Sequence, residues 1–263
     1  FADVFKHVVL ISLIETLKAK PAPFCYMDTH AGAGRYNLNS EEAQRTCEYQ
    51  QGVGRILNTT QLLPDILAIY LHLIRTLNAD NEAHDLSVYP GSPLLASRLM
   101  RDSDCAELCE LHPGEAHKLK ILFQQDVRIH VHKRDGYAAL KALLPPGARR
   151  GLVLIDPPFE AQENEFRTIE NAIDMAQTRW SSGIYAIWYP IKLRAAIVPF
   201  HRWLQSTGLK NILIAELLLH SDHSRLRLNG CGMAIINTPW KLDLQLEPPL
   251  TVLAQLLAQA WRK

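Results

Sequence analysis

The sharpest chemical signal in the sequence is Leu154-Ile155-Asp156-Pro157-Pro158-Phe159, an apolar run that ends in an acid, two prolines and an aromatic. Successive prolines stiffen a turn and remove two N–H donors, which leaves nearby carbonyls, such as that of Pro157, free as acceptors. A carboxylate and a free carbonyl together accept both hydrogens of an exocyclic amine, and the ring of Phe159 offers a face for its heterocycle. The competing reading is a rigid loop in which Asp156 only caps the turn. The strand-like run before Asp156 favours chemistry, because open α/β folds bind ligands at the carboxyl ends of their strands.

A second signal lies upstream. Phe24-Cys25-Tyr26-Met27-Asp28 reads as a buried strand that delivers an acid into the small-residue loop Thr29-His30-Ala31-Gly32-Ala33-Gly34, the opening of a nucleotide-binding α/β domain. Such a loop also serves dinucleotide enzymes, but those want an acid about 20 residues further on. Glu110 comes far later, and Asp-Pro-Pro-Phe has no role in hydride transfer. At the end of a second strand, Glu110 has the chemistry to accept both hydroxyl hydrogens of a ribose.

Weaker signals have plainer explanations. Cys105, Cys109 and His112 have a spacing that evokes a metal site, but a strand through 106–111 turns Cys109 toward the core and no fourth ligand stands out, so buried thiols fit better. His220 to Arg227 joins two strands and is either a solvated hairpin or an RNA-facing loop with Arg225 and Arg227 on phosphates. Arg149-Arg150 precedes a strand and therefore belongs at the sheet edge opposite Asp156. Trp188-Tyr189-Pro190 ends a strand on the same side as Asp156 and either walls a base pocket or packs in the core.

The elements that must position these residues follow from periodicity. Val4, Val8, Ile11, Ile14 and Leu17 have helical spacing, with Asp3 as N-cap. After Asp28, residues 40–87 are polar or helical, with Pro64 at a helix start and Ile66, Ile69, Tyr70, Leu73 and Leu77 on one face, so this stretch reads as a helical insertion after the first strand. Ser92-Pro93 supplies an N-cap and a first-turn proline for the next helix. Strands are expected at Ala106–Leu111, Ile129–His132, Leu152–Asp156, Tyr185–Tyr189, Asn211–Leu217 and Cys231–Ile236, with helices at about 114–124, 137–143, 163–178 and 192–206 between most of them. This alternation predicts an α/β fold with a mostly parallel, doubly wound sheet, the last two strands pairing antiparallel at one edge.

Composition sets the outer bounds. Of 263 residues, 48% are hydrophobic and 21% charged, and 28 Lys and Arg balance 27 Asp and Glu to a net charge of +1. That mixture excludes a disordered chain and a histone-like polycation. The longest apolar stretches, such as 250–261, are too short to span a membrane. Five cysteines without a CxxC pair point to a reducing cytoplasm rather than a disulfide framework. The chain opens at Phe1 instead of Met, which reads as a sequence whose amino end lies further upstream.

The longer strings FADVFKH, YMDTHAGAGRY, YPGSP, ELHP, RDG, LIDPPF, YAIWYP and GMAIINTPW, running from Phe1 to Trp240, resemble in order the bacterial 23S ribosomal RNA adenine-N6 methyltransferase J family. The resemblance implies a Rossmann-like class I methyltransferase fold with a seven-stranded sheet, a single domain over 1–263 that carries the 40–87 insertion, and S-adenosylmethionine as cofactor. By position, His7, His30, Ser92, Glu110, Asp135, Gly136 and Asp156 match residues that contact the cofactor, and Asp156, Pro157 and Phe159 match the catalytic motif. The implied reaction is in-line attack by N6 of one adenine of 23S ribosomal RNA, conventionally numbered 2030, on the methyl group. The substrate is expected to be naked or early-assembly RNA, and the protein a cytoplasmic monomer that needs neither metal nor membrane. Phe159 stands where close relatives have Tyr. In the family an aromatic-bearing segment that engages RNA precedes the position of Phe1, and further residues follow that of Lys263, so this chain is expected to bind cofactor but turn over poorly. The rivals are an amino-group methyltransferase for DNA adenine or a protein amide, and a non-catalytic RNA-binding protein. Retention of His30, Glu110, Asp135 and Asp156 together speaks against the last.

Overall fold

The computed structural model describes residues 1–79, 86–160, 162–221 and 228–258. Helix α1 (Ala2–Lys18) leads into β1 (Phe24–Asp28), whose five residues are all buried, as a central strand covered on both faces requires. Strand β2 (Arg35–Asn37) follows, then the short helices α2 (Glu41–Thr46), α3 (Glu48–Gln51) and α4 (Val53–Leu57), the longer α5 (Asp65–Leu77), and β3 (Val88–Pro90), which pairs antiparallel with β2. The remainder alternates: α6 (Ser92–Leu99), β4 (Cys105–Glu110), α7 (Pro113–Leu122), β5 (Ile129–Lys133), α8 (Gly136–Leu143), β6 (Arg150–Ile155), α9 (Gln162–Arg179), β7 (Ile184–Ile191) and α10 (Arg194–Ser206). The strands β8 (Leu213–Leu218) and β9 (Gly230–Ile236) and the helix α11 (Leu242–Ala258) complete the described residues.

The main sheet has seven strands in the order β5-β4-β1-β6-β7-β9-β8. Neighbours from β5 to β7 are parallel, while β9 lies antiparallel between β7 and β8, so the two strands joined without a helix form the antiparallel edge. Side chains alternate between the faces. Leu152 and Leu154 of β6 join the core under α1, α5, α6 and α11, while Val153 and Ile155 join the core under α8, α9 and α10. Helix α1 buries Val9, Leu10 and Leu13 besides its expected stripe, because α5, α6 and α11 enclose it from several sides.

Local differences from the sequence reading have simple causes. Helix α1 starts one residue before Asp3, with Phe1 as N-cap, so Asp3 sits in the first turn, where an acid favours the helix dipole. Gly91, not Ser92, is the N-cap of α6, because the Ser92 hydroxyl is engaged elsewhere. Each strand of the β2–β3 pair has three residues, too few to show a period. Helix α11 escapes a periodicity reading because Pro248 and Pro249 lie inside it. Among the described residues no helix is long and apolar enough to cross a membrane.

Candidate active site

Because β4, β1 and β6 are parallel neighbours, their carboxyl ends bring Glu110, Asp28 and Asp156 to one edge. Asp28 is fully buried and accepts hydrogen bonds from the Tyr26 hydroxyl (2.6 Å), the Ser92 hydroxyl (2.6 Å) and the His30 N–H (3.2 Å). It is a girder of the loop that follows it. Burial pushes its carboxyl above the usual range, against the pull of those hydroxyls.

That loop depends on glycine at Gly34, with φ +73°, and at Gly32. Gly32 has φ +61°, a conformation side chains rarely adopt, and an added Cβ would lie 2.3 Å from the Tyr36 hydroxyl. Its N–H donates to Glu110 Oε2 (2.8 Å), and the His112 N–H donates to Oε1 (2.6 Å). Each Glu110 oxygen keeps a lone pair for a ligand hydroxyl. Asp135 is the N-cap of α8, its side chain accepting from Ala138 N–H at 2.7 Å, and is exposed. The start of α8 approaches the first loop so closely that a Cβ at Gly136 would fall 2.0 Å from the Thr29 carbonyl oxygen. His30 bonds Thr29 Oγ1 through Nδ1 (2.8 Å) and meets the ring of Tyr137 edge-on at 5.1 Å, while the Tyr137 hydroxyl donates to Glu165 (2.6 Å).

Asp156 immediately follows β6. Lys6 of α1 donates to its Oδ2 at 2.5 Å and also contacts Asp3 at 2.8 Å. Burial pulls the Lys6 ammonium down, but Asp156 and Asp3 outweigh it and hold the group above its ordinary range; Lys6 in turn holds Asp3 well below the usual carboxylate range. The sequence reading did not single out Lys6 and gave Asp3 only a capping role. The signal available was their i, i+3 spacing, which puts both on one helix face.

Phe159 has φ 50°, unusual for an aromatic, and this turn folds its ring inward. The ring is only 3% exposed and packs edge-on against Phe166 (5.4 Å) and Trp188 (5.8 Å), so it forms a wall rather than an open face. Trp188 packs against the cores on both faces of the sheet, as its core reading expects.

His7 is buried and bonds the Tyr89 hydroxyl through Nδ1 (3.2 Å), with Tyr89 in turn bonded to Tyr70 (3.0 Å). Its Nε2 is buried with no hydrogen-bond partner among the described residues. Burial, helped by Lys6, pushes its pKa down to about 3, so the ring is neutral. An orphaned neutral imidazole nitrogen, Glu110 with free lone pairs and two loops that only glycine allows to touch fit a nucleoside-bearing ligand.

Of the other candidates, Cys109 and His112 flank Glu110 at this edge, whereas Arg150 lies at the opposite one. Cys109 is buried, and His112 is the N-cap of α7, accepting from the Glu115 N–H at 3.4 Å. Among the described residues no group of three His, Cys, Asp or Glu is placed to hold a metal ion. Arg150 begins β6 at the opposite edge, where its guanidinium donates to the carbonyls of Leu17 (2.8 Å) and Ala22 (2.9 Å). Arg225 and Arg227 lie outside the described residues.

The family described as ribosomal RNA large subunit methyltransferase D, RlmJ, matches residues 21–263. A protein of Escherichia coli (strain K12) named ribosomal RNA large subunit methyltransferase J is 44% identical over 259 residues, covering 98% of this chain and 91% of its own. The Haemophilus influenzae protein of the same name is 41% identical, with 97% and 90% covered. A crystal structure of a Legionella pneumophila protein superposes with a TM-score of 0.89 at 34% identity, over 98% of this chain and 93% of that one.

Proposed function

The chain belongs to the RlmJ family of ribosomal RNA large subunit methyltransferases, and from that premise we propose that it transfers a methyl group from S-adenosylmethionine to N6 of one adenine of 23S ribosomal RNA. The observation that carries this reading is the setting of Asp156: an acid at the carboxyl edge, followed by two prolines and flanked by a buried aromatic wall. The unpartnered His7 nitrogen and the Glu110 lone pairs suit a nucleoside cofactor.

His7, His30, Ser92, Glu110, Asp135 and Gly136 form the cofactor side, with Ser92 acting through Asp28 and Gly136 through the closeness it permits. Bound there, S-adenosylmethionine supplies an electrophilic methyl group on a sulfonium. The N6 lone pair of adenine is delocalised into the ring and is a poor nucleophile. Lys6 occupies one lone pair of Asp156 Oδ2, which leaves the remaining carboxylate lone pairs to accept an N–H of the amine while the Pro157 carbonyl accepts the other. Those two bonds favour a more tetrahedral nitrogen, and fixing it at an in-line distance of about 3–3.5 Å supplies much of the rate. Phe159 and Trp188 wall the base and exclude water. Reaching this position requires the adenine to leave any stack, which favours protein-free or early-assembly RNA. We take the protein to act as a cytoplasmic monomer and as one methyltransferase domain over 1–263, with 40–87 as its insertion.

The test is incubation with labelled S-adenosylmethionine and unmodified 23S RNA, followed by digestion and identification of the methylated nucleoside. N6-methyladenosine at one position is the expected product. Labelling of DNA or peptide but not RNA would replace the substrate assignment.

A further inference from the structure

The reaction just proposed has a charge problem at its centre: an ammonium, Lys6, stands against the acid that must hold the amine beside a positively charged sulfonium. In the structure Lys6 is shared. Its Nζ lies 2.5 Å from Asp156 Oδ2 and 2.8 Å from Asp3 Oδ1. The side chains of Lys6 and Asp156 are 12% and 16% exposed, while that of Asp3 is 63% exposed and faces outward from the first turn of α1. His7, next in the chain, is neutral and adds no charge. If Lys6 and Asp156 were alone, they would cancel. With Asp3 present, two carboxylates face one ammonium.

We infer that Asp3 is a positioning residue that shares Lys6 with Asp156 and so leaves the Asp156 charge less fully neutralised, so that the cationic methyl donor is held more tightly than its neutral thioether product. This deepens the proposed function and rests on it. The arrangement serves turnover, because methyl transfer removes the positive charge from sulfur and thereby weakens the attraction that held the donor. A simpler account, in which Asp3 only complements the helix dipole and makes an i, i+3 ion pair, predicts no preference between donor and product.

The experiment is calorimetric titration of the wild type, Asp3→Asn and Asp3→Glu with S-adenosylmethionine and with S-adenosylhomocysteine. Asp3→Asn keeps the shape and removes the charge. Its dissociation constant for S-adenosylmethionine is expected to rise about five- to tenfold, as a partly screened charge several ångströms away implies. That for S-adenosylhomocysteine is expected to change less than about twofold, and Asp3→Glu to restore the wild-type ratio. The gap between the two ligands narrows as salt is raised. Equal weakening of both ligands, or no change in either, overturns the inference. If the wild type binds neither, the cofactor reading falls and this one with it. If it binds both as expected but methylates no RNA, only the substrate assignment falls.

Discussion

The chain places two acids beside cations at opposite edges of one sheet and treats them differently. At the amino edge Asp104 is buried and saturated. Its oxygens accept from the backbone N–H of Phe24 (3.0 Å) and of Arg101 (2.8 Å), and from the Arg101 guanidinium twice at 2.9 Å. Arg101 then ties down the Lys20 carbonyl (2.9 Å), as Arg150 does those of Leu17 and Ala22. At the carboxyl edge Asp156 accepts, among the described residues, from Lys6 alone, and Phe159 just beyond it stands at φ 50°. A satisfied acid fixes the architecture. An acid with spare lone pairs in a strained turn is kept ready for something that arrives later.

The largest effect that tests this contrast comes from exchanging each acid for its amide. Asp156→Asn keeps the shape but puts an NH₂ where the amine needs an acceptor, and methyl transfer is expected to fall at least about a hundredfold while melting stays within a few degrees of wild type. Asp104→Asn loses acceptor capacity beneath β1 and is expected to melt roughly 5 °C earlier, with its rate per folded molecule kept within about twofold. Paired melting curves and initial rates read both. A Asp104→Asn protein that is fully folded yet slow would dissolve the distinction between the two edges.

Much of the carboxyl edge was legible in the sequence because it is carried by local strings: strand, acid, glycine loop, and strand, acid, prolines. The boundaries of β1 and the antiparallel pairing of β8 and β9 follow from such local patterns. What was not legible depends on distance along the chain. Lys6 meets Asp156 across 150 positions, and Asp28 meets Ser92 across 64. No periodicity reports a partner so remote, so Asp3 and Ser92 read as caps, the role their types most often fill. Phe159 was legible as an aromatic at the right place but not as a ring turned inward, since only the backbone angle determines that.

A smaller effect sharpens the comparison by testing how tightly the carboxyl edge is assembled. Gly136→Ala puts a methyl group where the Thr29 carbonyl oxygen stands, 2.0 Å from the new carbon. Backbone does not yield as a side-chain tip does, so α8 and the β1 loop must separate. The expected result is a cofactor affinity lowered by more than about tenfold, with a stability loss of about 1–3 kcal/mol typical of overpacking. Calorimetric titration and denaturant unfolding give the two values. Unchanged affinity would mean that closeness of the loops at this point is irrelevant to the pocket.

The smallest effect is the most pointed, because it asks whether the orphaned nitrogen costs the empty protein stability. His7 has its pKa pushed from 6.5 down to about 3 by burial and by Lys6. Below about pH 6.5 the unfolded chain therefore takes a proton that the native state refuses. His7's contribution is fully present above that pH and is lost progressively as the pH falls toward about 3. His7→Phe removes this linkage together with the unpaired nitrogen, while Tyr89 keeps Tyr70 as a partner. Unfolding free energies measured between about pH 7 and 4.5 should fall more steeply for the wild type than for His7→Phe, by up to about 1.4 kcal/mol per pH unit. The variant should also bind S-adenosylmethionine more weakly although its empty form is no less stable. Parallel pH curves would mean that the nitrogen is already satisfied, and the carboxyl edge would then resemble the amino edge more closely than its geometry implies. Divergent curves with weakened binding tie the unpaired atom to the ligand, since a group that costs the empty protein stability and strengthens the complex has its partner outside the chain.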